Sequence, residues 1–206
     1  MNYEEALAFV HGRPRLRKAP TLKRMRQFLT ELGNPQTKIQ AVHVAGTNGK
    51  GSTIAFLTSL LGQEGRQVGT FTSPFITRFN ERIAVNGQPI SDEAVANLVT
   101  QVRPVVEKMD QTELGGPLEF EIVTAMMFLY FAQHPVDVVL VEVGIGGLYD
   151  STRLYPVGIG DYKRGLGPHG TFREYFTGNC PTKGGNHQTA RSGGYWRTSA
   201  RSVNSN

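Results

Sequence analysis

The eight residues Gly46-Thr47-Asn48-Gly49-Lys50-Gly51-Ser52-Thr53 constrain this 206-residue chain more than any other feature, because of what flanks them. Residues 39–45 form a short, mostly apolar run without helical length, and residues 52–61 are apolar at helical spacing. The order is therefore strand, glycine loop, helix, as polyphosphate binding requires. Glycines let backbone N–H groups turn inward, a helix N-terminus adds partial positive charge, and Lys50 supplies a point charge for the outer phosphates. Ser52 or Thr53 can bring a hydroxyl near a metal. The usual P-loop has Ser or Thr directly after its lysine, and Gly51 stands there instead. A plain glycine turn with a solvated lysine is the competing reading, and the run 48–52 directly after His43-Val44-Ala45 is too specific to favour it.

Alternating elements continue on both sides. Residues 3–10 and 22–32 read as short helices, the second with Leu22, Met25, Phe28, Leu29 and Leu32 inward, Thr21 placed to cap it and Gly33 to end it. Residues 68–72 are a second strand and 82–90 a hairpin around Asn86-Gly87. Residues 92–108 form a helix capped by Ser91, which Pro104 is expected to kink or end. A strongly apolar helix spans 119–134. The valine-rich run 136–143 suits a strand buried on both faces. Such alternation implies a largely parallel α/β sheet.

Charge is distributed unevenly. The first 152 residues hold 14 Lys+Arg and 15 Asp+Glu, and the remaining 54 hold 8 and 2, so the net charge of +5 is supplied by the tail. The basic pI is therefore no argument for a nucleic-acid or membrane partner of the folded part. Cys180, the sole cysteine, has no intrachain partner and fits a reducing compartment. No leader-like N-terminus or membrane-length apolar run is present, and the expected location is the cytoplasm.

Two further segments carry chemistry. In 72–83, Thr72-Ser73-Pro74-Phe75-Ile76-Thr77-Arg78-Phe79-Asn80-Glu81-Arg82-Ile83, Phe75 and Phe79 offer surface to a flat aromatic ligand, while Arg78 and Arg82 can pair with a carboxylate or phosphate. Ser73 sits at a strand end where its hydroxyl can reach a metal. Composition alone would favour a surface loop with a Ser-Pro turn, two core phenylalanines and solvated arginines. Residues 138–147 end a buried strand on Glu142, a carboxylate that is costly in so apolar a run unless metal-bound or paired.

Together the glycine loop, residues 72–83, the Glu119-Phe120-Glu121 helix start and the Glu142 strand resemble the folylpolyglutamate synthase and dihydrofolate synthase family, cousins of the Mur ligases. The resemblance implies a P-loop α/β nucleotide-binding fold of Mur-ligase type. It also implies an activity: ATP and Mg²⁺ activate a folate or dihydropteroate carboxylate as an acyl phosphate, and L-glutamate attacks it to form an amide. In that scheme Gly46, Thr47, Asn48, Gly49, Lys50, Gly51, Ser52 and Thr53 hold ATP, and Lys50 offsets developing charge. Ser73 and Glu142 hold magnesium, and Phe75, Arg78, Phe79, Arg82 and Phe120 position the folate. The implied enzyme acts as a monomer. A Mur-type amino-acid ligase shares the phosphate loop but not residues 73–83, and a noncatalytic nucleotide-binding fragment is the reading from another class.

Beyond Asp150-Ser151-Thr152 the resemblance stops. Those 54 residues contain 10 of the 24 glycines and five Leu, Ile, Val or Met, so no core and a disordered tail are expected over 153–206. Reading each new codon from the last two bases of one residue and the first of the next restores the family pattern. Residues 167–170 then permit Asp-His-Met, and 183–190 permit Lys-Ala-Gly-Ile-Ile-Lys-Pro. The expectation is a net one-base frameshift near Thr152, an N-terminal ATP-binding domain left incomplete at 1–152, and absence of the family's C-terminal domain. His169 and Lys183 are accordingly not the family's histidine and lysine.

Overall fold

The computed structural model describes residues 1–15, 22–46, 48–144 and 150–154, together with the backbone of two later strands. In chain order the elements are α1 (Tyr3–His11), α2 (Leu22–Glu31), β1 (Ala41–Ala45), α3 (Lys50–Gln63), β2 (Val68–Phe71), β3 (Ile83–Val85), β4 (Gln88–Pro89), α4 (Asp92–Asp110), α5 (Glu119–Gln133), β5 (Val138–Glu142), β6 (Asp161–Leu166) and β7 (Phe172–Thr177). They build one sheet in the order β4-β3-β2-β5-β1-β6-β7. Strands β2, β5 and β1 are parallel, with β5 in the middle and Val44 opposite Glu142.

The valine run explains that placement. Successive side chains of a strand face opposite sides, and Val139 and Val141 enter the larger cluster while Leu140 enters the smaller one. The larger cluster takes in Met25, Phe28, Val99, Val102, Phe128 and Phe131, and the smaller one packs Val42, Val44, Val68 and Leu140 against Ile54 of α3. Each fully buried side chain of this size contributes roughly 1.5–3 kcal/mol. Gly69 on β2 leaves room for the Phe131 ring, since a Cβ there would lie 2.5 Å from Phe131 Cε1.

Local signals set the boundaries. Asn2 caps α1 through Glu5 N at 2.8 Å, and Glu5 returns the bond to Asn2 N at 2.9 Å. Ser91 Oγ accepts from Ala94 N at 3.1 Å to start α4. Gly33, at φ 77°, closes the turn after α2. Asn86 and Gly87, at φ 50° and 77°, make the turn between β3 and β4. Thr21 lies outside the described residues.

Pro104 does not end its helix. α4 continues to Asp110, because Val99, Val102, Val106 and Met109 form a buried stripe across the proline whose packing outweighs one lost backbone hydrogen bond. Within the tail, the backbone of two strands is described. β6 pairs in parallel with β1, and β7 pairs antiparallel with β6. Strand pairing is made by main-chain groups, so the outer edge of β1 can accept an extended segment that has no core-building pattern. Among the described residues no helix is long and apolar enough to cross a membrane.

Candidate active site

The C-terminal ends of β1, β5 and β2 bring three distant segments together. Gly49 adopts φ 76°, ψ 8° as the residue before α3, a left-handed conformation that suits glycine, and it points the helix start at the loop. Thr53 closes the first turn: its N–H and its hydroxyl both donate to Gly49 O at 2.9 Å. Ser52 is exposed and Thr53 is buried, so Ser52 is the hydroxyl that faces outward. A Cβ at Gly51 would meet open space, so no local contact demands glycine there. Thr47 lies outside the described residues.

Lys50 extends from the first turn of α3 to Glu142, with Nζ 3.6 Å from Oε1. The Glu142 side chain is 8% exposed, and its Oε2 accepts from Ser73 N at 3.0 Å. A buried carboxylate thus stands between one cation and one strand-end amide. The resemblance implies that Ser73 and Glu142 share a magnesium ion; here the two residues are joined by the Ser73 backbone N–H.

Beside this pair opens a cleft of about 460 Å³ lined by His11, Arg15, Ser73, Phe75, Arg82, Glu119, Phe120 and Gly144, among others. Phe75 and Phe120 supply its aromatic surface. The Arg82 guanidinium lies 5.0 Å from the Phe75 ring centroid and 5.7 Å from that of Phe79. Burial pulls its pKa below the ordinary arginine range, with nearby Glu119 opposing that fall and Arg15 adding to it. Its Nε has no hydrogen-bond partner among the described residues. Gly144 is needed where it is, because a Cβ would run into the Phe120 ring.

The remaining candidates are placed differently. Phe79 is 4% exposed and sits behind the cleft wall, packing edge-on to Phe75 and to His11. Arg78 does not line the cleft. It points across the surface to Asp92 at 2.8 Å, with 60% of its side chain exposed. His11, Arg15 and Glu119 were not selected from sequence. Glu119 Oε1 lies 2.9 Å from His11 Nδ1, and its Oε2 accepts from Arg15 Nε at 2.8 Å. These partners are over a hundred residues apart, so only the tertiary fold reveals them.

A glycine loop between a parallel strand and a helix, with a lysine at the helix start and a buried carboxylate at an adjoining strand end, is the arrangement of an α/β domain of the P-loop class. The chain is 57% identical over 153 residues to the dihydrofolate synthase/folylpolyglutamate synthase of Bacillus subtilis strain 168, covering 74% of this chain and 36% of that protein. It is 46% identical over 155 residues to the folylpolyglutamate synthase of Lacticaseibacillus casei, covering 75% and 36%. A solved FPGS–AMPPCP–folate complex superposes with a TM-score of 0.71 at 46% identity, over 76% of this chain and 39% of the other. The Mycobacterium tuberculosis folylpolyglutamate synthase complexed with ADP gives 0.67 at 36% identity, over 74% and 34%. No protein-family model matches. Over its N-terminal three quarters this chain is strongly similar to folylpolyglutamate and dihydrofolate synthases, and it spans about 36% of the length of those two relatives.

Proposed function

We propose that this chain carries the Mg-ATP site and the folate cleft of an enzyme that joins L-glutamate to folate or dihydropteroate. The observation that carries the reading is the meeting of Lys50, Glu142 and Ser73 at three strand ends, directly beside an aromatic cleft that also holds Arg82. ATP phosphates would lie on residues 46–53, where the helix start and Lys50 favour negative charge. The relatives' complexes with AMPPCP, folate and ADP support the same assignment.

Magnesium fits the donors present. Among the described residues no three or more His, Cys, Asp or Glu form a cage, and Mg²⁺ needs none, since it keeps several waters and takes one or two carboxylates plus phosphate oxygens. Glu142 and the Ser73 hydroxyl would hold it, and it would supply charge neutralisation at the phosphates. Lys50 orients the outer phosphate. Phe75 and Phe120 hold the flat ring system, and Arg82 pairs with the ligand's carboxylate. Catalysis of the acyl-phosphate route would be positioning and charge stabilisation.

Binding and ligation are separable here. A noncatalytic nucleotide-binding fragment is the alternative reading for the chain as it stands. Folate enzymes among those relatives favour a folate acceptor over the sugar-nucleotide of a Mur-type ligase. A monomer in the cytoplasm without nucleic-acid or membrane partners is consistent with the near-neutral first 152 residues. Isothermal titration of the full chain with Mg-ATP tests the reading. Lys50→Ala is expected to weaken binding about tenfold or more, the scale of one lost charge-assisted contact, and equal affinities would refute the assignment.

A further inference from the structure

We propose that His43 is a positioning residue of the nucleotide site, acting through a buried hydrogen-bond chain, His43–Thr152–Asp150, that fastens β1 to the segment following Glu142. The proposal rests on the nucleotide reading above, and its test is arranged to fail separately. All three residues are buried, at 2%, 0% and 6% exposed. His43 Nε2 lies 2.8 Å from Thr152 Oγ1, which lies 2.5 Å from Asp150 Oδ1. The same carboxylate oxygen accepts from Thr152 N at 2.9 Å.

The direction of the chain follows from proton counting. A threonine hydroxyl has one proton, and a carboxylate only accepts. Thr152 therefore donates to Asp150, its oxygen accepts from His43, and the histidine carries its proton on Nε2. Sequence places His43 three positions before Gly46, and strand register places it opposite Val141, the residue before Glu142. One end of the chain thus sits on the strand that opens into the phosphate loop. The other sits at Thr152, ten residues beyond the carboxylate that ends β5.

Two residues beyond β5, Val143 and Thr152, each bond to β1. Val143 N donates to Val44 O at 3.0 Å, and Thr152 repeats the attachment through His43. A fully satisfied buried chain is rigid, whereas one missing link leaves desolvated groups without partners. That rigidity keeps the phosphate loop and Glu142 at a fixed spacing before any ligand arrives, and a binding site depends on such support. No group in the chain lines the aromatic cleft.

Long-range ¹H–¹⁵N correlation spectra of the full chain, with His43→Gln to assign the signal, are expected to report the Nε2–H form of His43. The Nδ1–H form would overturn the chain. Thr152→Val keeps the shape and removes the hydroxyl, and it is expected to weaken Mg-ATP binding about fivefold or more, as for a buried group left unpaired. Thr152→Ser, which restores the hydroxyl, is expected to bind like the parent, with cooperative thermal unfolding retained in all three proteins. Equal affinity of the parent and Thr152→Val overturns the positioning role. Should the parent not bind Mg-ATP, the nucleotide reading fails, and hydrogen exchange decides the positioning role. Faster exchange at Val143, Gly144 and Gly49 in Thr152→Val than in Thr152→Ser supports it, and unchanged exchange overturns it.

Discussion

Arg24 of α2 and Glu121 of α5 meet at 2.7 and 3.1 Å with both side chains 5% exposed, and Glu121 also accepts from Leu118 N at 2.8 Å. Removing one member strands the other in a water-poor site, so Arg24→Ala is expected to lower the unfolding free energy by roughly 3–5 kcal/mol, read by urea denaturation. Arg103–Glu107, half-exposed on α4, is the control, and its loss is expected to cost about 0.5 kcal/mol or less. Only some of this was legible in the sequence. Glu119 and Glu121 at a helix start read equally well as dipole partners, and nothing in a linear sequence says that Arg24 and Arg15 reach them. Phe75, Arg82 and Phe120 were identifiable because aromatic and guanidinium groups announce their chemistry. Arg78 carries the same chemistry and lies on the far side of the loop, since its direction depends on how the chain turns at residues 79–82.

At the scale of elements, the loop from Ser73 to Arg82 is ordered by one carboxylate. Glu81 accepts backbone N–H bonds from Ile76, Arg78 and Thr77 at 2.9, 3.0 and 3.2 Å, and these bonds, that of Ile76 foremost, hold its pKa below the ordinary 4.5. A depressed carboxylate favours the ordered loop above its ordinary value, and that preference is lost as pH falls through the lowered one. Amide protection at Ile76 and Thr77 is therefore expected to hold from neutrality to about pH 4.5 and then to decline, and Glu81→Gln is expected to flatten the dependence; NMR hydrogen exchange with pH would measure both. Helices and strands were recognisable from periodicity because each must bury one face. The range 92–108 read from sequence already passed Pro104 but left a kink or an end there open, and buried packing carries α4 on to Asp110.

At the scale of the molecule, the described residues share a core to which Leu154 belongs, with Thr152 fully buried against His43. Sequence similarity over about three quarters of the chain supports the proposal that the coding frame slips by one base near Thr152. Sequencing the gene across that codon, and restoring the frame in a full-length protein, are expected to yield glutamate-dependent release of ADP and phosphate with folate or dihydropteroate. The same assay on the present chain is expected to show none, and turnover by it would contradict the fragment reading. The sequence by itself determined the strand–loop–helix order, the parallel core and the family resemblance, because periodicity, glycine placement and residue chemistry are local properties written in linear order. Only the tertiary structure decided that Lys50 meets Glu142, that Ser73 reaches it through its backbone, and that His43 is bound to Thr152. Those contacts join residues 69 to 109 positions apart, and their distances are set by sheet register and helix packing rather than by any short segment.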